Sequence, residues 1–157
     1  MRYFIFSLVF IGFLFNTNAQ APVINWSHSF GNSPTSVTST ATDANGNIYV
    51  AGYFSGSVDM DFGVGQAVVT SQGQYDGFVA KYNSFGEFIW VRRFSGIGGQ
   101  QVNNIHIESG YIHVTGFFEN TMTVHVPNGP FQLPSNGATD AFWTILNSDG
   151  YSIKNYQ

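Results

Sequence analysis

The stretch Asp43-Ala44-Asn45-Gly46-Asn47-Ile48-Tyr49-Val50-Ala51-Gly52-Tyr53-Phe54 decides the reading of this chain, because its second half returns 64 residues later as Ile112-His113-Val114-Thr115-Gly116-Phe117-Phe118. Asn45-Gly46 is a strong turn signal, expected to place both central residues at positive φ. The β-branched and aromatic run after it reads as a strand. The same offset, without insertions, sets Trp26 over Trp90, Phe30 over Phe94, Gly73 over Gly137 and Asp76 over Asp140. It also pairs Phe78 with Phe142, Asn83-Ser84 with Asn147-Ser148 and Gly86 with Gly150. A fixed period of this length signals stacked structural units.

Outward from that stretch, Val37–Thr42 is expected to form a first strand and Ile48–Phe54 the second. Gln66–Thr70 is a minor strand, Asp76–Asn83 the third and Glu87–Phe94 the fourth. The second unit repeats the plan at Val102–Ile107, Tyr111–Phe118, Asp140–Asn147 and Tyr151–Tyr156. No segment beyond the N-terminus sustains a helical period, so the chain is all-β. In the second strand the identical pairs (Ile48/Ile112, Val50/Val114, Gly52/Gly116, Phe54/Phe118) fall at alternate positions and share one face. We call it the repeated face; Tyr49/His113, Ala51/Thr115 and Tyr53/Phe117 lie on the variable face. Glycine on an apolar repeated face suggests close stacking of sheets, and aromatic residues on the variable face suggest that both faces are covered. That favours radially packed sheets over an open sandwich. Four antiparallel strands per unit describe a β-propeller blade.

The expected organisation is residues 1–19 as a signal peptide, 20–35 as a leading outer-type strand carrying Trp26 and Phe30, 36–97 as blade 1 and 98–157 as blade 2. Arg2 and the apolar Tyr3–Phe15 precede Asn16-Thr17-Asn18-Ala19, which suits cleavage before Gln20; the other reading is a retained anchor. The apolar run is too short to span a bilayer, so cleavage leaves no transmembrane segment and implies export. Beyond it, Lys81, Arg92, Arg93 and Lys154 face nine carboxylates, which gives no electrostatic case for nucleic acid. There is no cysteine, so disulfides and thiol chemistry are excluded and stability comes from packing.

These residues resemble the bacterial β-propeller repeat family often labelled SBBP. Its pattern is met by Asp43–Phe54, by Val58-Asp59-Met60-Asp61-Phe62-Gly63, by Asp76-Gly77-Phe78-Val79-Ala80-Lys81-Tyr82 and by Gly86-Glu87-Phe88-Ile89-Trp90. The second unit departs at Glu108-Ser109-Gly110-Tyr111, at Thr123-Val124-His125-Val126 and at Lys154, where the family places tryptophan. The resemblance implies a propeller fold and a secreted or surface protein of Bacteroidetes-type bacteria. It implies no catalytic residues.

Asp59-x-Asp61-x-Gly63 is the one metal candidate, for Ca²⁺, but it lacks the further oxygens of a calcium loop, and a solvated loop capped by Asp side chains is the favoured reading. Asp76 and Asp140 precede apolar strands and suit turn closure through backbone N–H groups. His28, His106, His113 and His125 show no metalloenzyme spacing, although His106 and His113 could meet across a hairpin. No nucleophile elbow is present. The aromatics, Trp26, Trp90 and Trp143 included, read as core; Phe62, Tyr75, Phe85 and Phe131 are the loop positions open to sugar stacking. The expectation is a non-catalytic interaction or scaffold module at the cell surface, with a protein or glycan partner and no cofactor. A carbohydrate-binding module is the alternative, and part of a glycosidase or lyase propeller a third. Two units cannot close a ring of about 4–8 blades, so further blades in a longer chain or self-association are expected.

Overall fold

The computed structural model describes residues 27–30 and 33–157. The signal segment 1–19 and Trp26 lie outside them. The described chain is all-β, with no helix among the described residues. Ten strands follow in order: β1 Thr35–Thr42, β2 Ile48–Phe54, β3 Ser57–Asp59, β4 Val68–Thr70, β5 Asp76–Tyr82, β6 Phe88–Ile97, β7 Gln100–Glu108, β8 Tyr111–Val126, β9 Gly129–Leu146 and β10 Ser152–Tyr156.

β1-β2-β5-β6 form one antiparallel meander and β7-β8-β9-β10 a second. They are joined covalently and by pairing, since Ser95–Ile97 at the end of β6 bond to Thr121–Thr123 of β8. The continuous sheet curls into a half-barrel, bringing its two halves against each other. The small β3–β4 hairpin of the first unit corresponds to the outer halves of β8 and β9, which pair as far as Val126↔Gly129. These extensions beyond Phe118 and before Asp140 were absent from the expected strands.

The 64-residue offset holds for every equivalent strand pair except the first. Phe54 pairs with Thr35, whereas its equivalent Phe118 pairs with Gln100, an offset of 65. The reason lies in the turns. Asp43–Asn47 closes through the Asp43 carboxylate, which accepts the N–H groups of Asn45 and Asn47, and only Gly46 of the loop has positive φ. Asn45 does not, which corrects the two-residue turn expected there. In the second unit Ser109 and Gly110 both adopt positive φ and make that shorter turn instead. One residue lost in the turn is regained before β7, so the sequence period hides the shift. Asn83 and Asn147 repeat the side-chain closure at the β5–β6 and β9–β10 turns.

The repeated face of the second unit packs on the variable face of the first. Ile112, Val114, Phe118, Phe142 and Leu146 share one core with Tyr49, Ala51, Val79, Trp90 and Phe94. Phe94 and Phe142 stack at 5.3 Å across the seam. Thr38 Oγ1 donates to the Val102 carbonyl at 2.7 Å, and Trp90 Nε1 to the Ser148 carbonyl at 3.1 Å. The repeated face of the first unit is covered within that unit. Phe54, Phe78 and Tyr82 meet Val58, Met60, Phe62 and Phe88 there, with Phe30 against Phe78 at 5.8 Å. Residues 27–30 are not in a strand, yet Phe30 holds on Phe78 the place Phe94 holds on Phe142. Each such side chain contributes about 1.5–3 kcal/mol on burial, against about 0–1 kcal/mol for an exposed ion pair. Packing decides this fold.

The repeated glycines do not serve sheet stacking, as the sequence suggested. A Cβ on Gly52 would lie 1.8 Å from the Ser36 carbonyl oxygen, and one on Gly116 would lie 2.0 Å from that of Gln101. Both obstacles belong to the adjacent strand of the same sheet, next to the bulges between Val37 and Ser39 and between Val102 and Asn104. Gly116→Ala is therefore expected to cost about 3 kcal/mol or more in denaturant unfolding, as backbone cannot yield like a side chain. A loss under about 0.5 kcal/mol would contradict this account of the bulge.

Candidate functional site

Four strands place the candidate site on the variable face of the second unit. Burial alternates strictly along β8 from Tyr111 to Phe118, with every second residue buried against the first unit. The intervening side chains have no sheet over them. Both faces were expected to be covered; this one is open because no third sheet packs on it among the described residues.

Register fixes what the face carries. One row runs His106, His113, Ile145, Lys154, and the next runs Asn104, Thr115, Trp143, Tyr156. The rings form a chain across all four strands: His106 to His113 at 6.4 Å, His113 to Trp143 at 5.8 Å and Trp143 to Tyr156 at 4.8 Å. The last two contacts are stacked. Trp143 is 41% exposed and Tyr156 45%. Beside them is a hollow of about 390 Å³ lined by Asn103, Thr115, Gly116, Ala141, Phe142, Trp143, Tyr156 and Gln157. Amide, hydroxyl and aromatic groups line it, with no charged side chain.

The sequence reading missed this site by giving Trp143 to the core. A signal existed: the position equivalent to Trp143 is Val79, buried in the seam. A larger ring on the same face, with His113 for Tyr49 and Ile145 for Lys81, marks a face without the neighbour that the first unit has. Trp90, by contrast, is buried. Of the loop aromatics, Phe85 is 77% exposed at its turn tip and Phe131 is exposed on β9. Tyr75 leans on Tyr53, and Phe62 lies between His28 and Tyr82. Phe62 and Phe85 border one hollow of about 360 Å³, whereas Tyr75 and Phe131 lie away from it.

Asp59 and Asp61 shape the loop after β3. Asp59 Oδ1 accepts the N–H groups of Asp61 at 3.0 Å and Ala67 at 2.8 Å, while Asp61 Oδ1 accepts that of Gly63 at 2.8 Å. These bonds curl a segment that runs straight in the second unit and carry Met60 and Phe62 onto the core, where Tyr82 donates its hydroxyl to the Met60 carbonyl. Both carboxylates also border a hollow of about 550 Å³ with His28, Ser29 and Ser33. Among the described residues no group of three or more His, Asp or Glu side chains has a metal-holding arrangement. Asp59→Ala should cost about 1–2 kcal/mol by freeing two N–H groups, and Asp59→Asn less. Millimolar calcium should leave the melting temperature unchanged; a rise of several degrees would give the pair to an ion instead.

Asp76 is fully buried; it accepts the Gln72 N–H and meets the Arg93 guanidinium at 3.2 Å. Asp140 likewise accepts the Asn136 N–H, four residues upstream. Burial pushes the Asp76 carboxyl above its ordinary value, against the opposing pull of its hydrogen bonds and of Arg93. A raised folded pKa means the native state holds its proton more tightly than the unfolded chain. Its contribution is then fullest below about pH 4 and declines as pH rises through the folded value. Comparing the pH dependence of unfolding for wild type and Asp76→Asn should show that decline in wild type alone. An identical profile in both would remove Asp76 as its source.

No protein-family model matches the chain, and no curated protein matches it.

Proposed function

We propose that this chain is an exported, non-catalytic segment of β-propeller-type repeats, an interaction or scaffold module at the cell surface that works through the open face of its second unit. The four-stranded meanders are read as two blades, β1-β2-β5-β6 and β7-β8-β9-β10. The observation that carries the reading is the chain of ring contacts through His106, His113, Trp143 and Tyr156, left uncovered on a sheet whose counterpart is buried in the first unit. Large aromatic side chains left exposed on a sheet face, as Trp143 and Tyr156 are here, are the residue types enriched at partner surfaces. The N-terminal segment and the family resemblance supply the location. Partner units belong either to a longer chain or to another copy.

A second reading, carbohydrate binding, is favoured by the hollow beside Trp143 and Tyr156, whose lining of Asn103, Thr115 and Gln157 is uncharged and hydrogen-bonding. Such surfaces suit neutral sugars, with rings meeting C–H faces and amides meeting hydroxyls. A catalytic propeller, glycosidase or lyase, needs paired ionisable groups across one pocket.

Expression of the full chain in a secreting bacterium tests the first reading. The product should be accessible to antibody on intact cells or be found in the medium, and its mass should correspond to a start at Gln20. A product kept inside the cell with residues 1–19 attached would contradict it. On a glycan array, binding that is lost in Trp143→Ala would select the second reading.

A further inference from the structure

We propose that the outer hairpin of the second unit, residues 121–134, is a strap that acid releases, with His125 as its latch. Its side chains Met122, Val124 and Leu133 belong to the seam core, so release uncovers apolar surface that neutral pH keeps hidden. This regulation is independent of what the open face binds.

The strap has a hinge and a fastened side. β8 breaks register between Glu119 and Thr121, and Asn120 there has φ +60°. Asn120 Nδ2 donates to the Ile97 carbonyl at 3.1 Å, and Glu119 Oε2 accepts the Gly99 N–H at 3.1 Å. Beyond this hinge three pairs fasten the strap to β6: Ile97↔Thr121, Gly96↔Met122 and Ser95↔Thr123. Gly96 permits the approach, since a Cβ there would lie 2.0 Å from the Thr121 carbonyl oxygen. The ladder then stops. Continued in register it would set His125 against Arg93; instead the His125 ring bonds the Arg93 backbone. The equivalent β3–β4 hairpin forms a sheet of its own and has Asp61 at this position, so the latch is a feature of the second unit.

Only a neutral imidazole fits this latch. His125 Nδ1 is buried with no hydrogen-bond partner among the described residues. A protonated ring carries an N–H on both nitrogens, and a buried donor without an acceptor is costly. The groups that face it have the same sign. From β6 come Arg93 and Arg92, whose Nε is likewise buried without a partner among the described residues. Asp76 of β5 is engaged by Arg93 at 3.2 Å, and Asp149 of the β9–β10 turn gives Arg92 its backbone carbonyl at 2.7 Å. β9 has no charged residue from Gly129 to Thr139. β7 and β10 pair with the inner halves of β8 and β9, which keeps Glu108 and Lys154 away. Burial and the Arg92 and Arg93 charges hold the imidazole below the ordinary histidine value, against the pull of its bond to the Arg93 backbone. The latch is therefore fully effective above the released ring's value of about 6.5 and is lost as pH falls through the folded value.

Amide hydrogen exchange on the full chain at pH 7.5 and 5.5, corrected for intrinsic rates, tests the proposal. Protection of the amides of residues 95–97 and 121–123 should fall by about tenfold, the effect of one proton taken up by a released histidine. At both pH values it should stay below the protection of Ile48–Phe54, because the strap opens without the first sheet. An NMR titration of wild type should place the His125 midpoint below about 6.5. His125→Gln keeps an N–H for the Arg93 backbone and takes up no proton, so its protection should not change between the two pH values. Asp76→Asn should keep the fall, since the Asp76 contribution runs the opposite way with pH. No fall in wild type, a fall that persists in His125→Gln, equal protection in strap and Ile48–Phe54, or a His125 midpoint at or above about 6.5 would each overturn the proposal.

Discussion

Much of this structure follows from one constraint: the first four-stranded sheet carries apolar side chains on both faces, and both need covering. An antiparallel sheet with one wet face alternates apolar and polar residues. Here β5 is buried along its whole length, from Asp76 to Tyr82. The first unit meets the demand with two devices. Its variable face takes the second unit, and its repeated face takes its own curled loop and Phe30. The second unit has the first device on one side only, so its other face is the place where function is sought.

That asymmetry explains why two units of one plan differ where they do. The acidic pair Asp59 and Asp61 curls a segment that is straight strand in the second unit. Larger rings fill the space that a neighbouring sheet occupies elsewhere. On the opposite side, Val79 in the tight seam becomes Trp143 on the open face. The differences between the repeats are therefore records of what each face touches.

Much of this was legible in the sequence. The all-β class, nine of the strands in outline and the separation of two faces came from a period of two inside a period of 64. What escaped has identifiable causes. The one-residue shift of β7 was masked because a shorter turn at Ser109-Gly110 and an added residue cancel in the numbering. Gly52 and Gly116 were assigned to stacking because a bulge carbonyl in a neighbouring strand leaves no trace in composition. Trp143 was placed inside because strand alternation tells which residues share a face, not whether anything covers it.

The central claim is that the two sheets pack repeated face onto variable face, with Phe94 and Phe142 meeting across the seam at 5.3 Å. A double-mutant cycle in denaturant on Phe94→Leu and Phe142→Leu tests it most directly. The account predicts a coupling energy of about 0.5–1.5 kcal/mol between residues 48 positions apart in sequence. Strictly additive losses would contradict it, because the two rings would then not share a core.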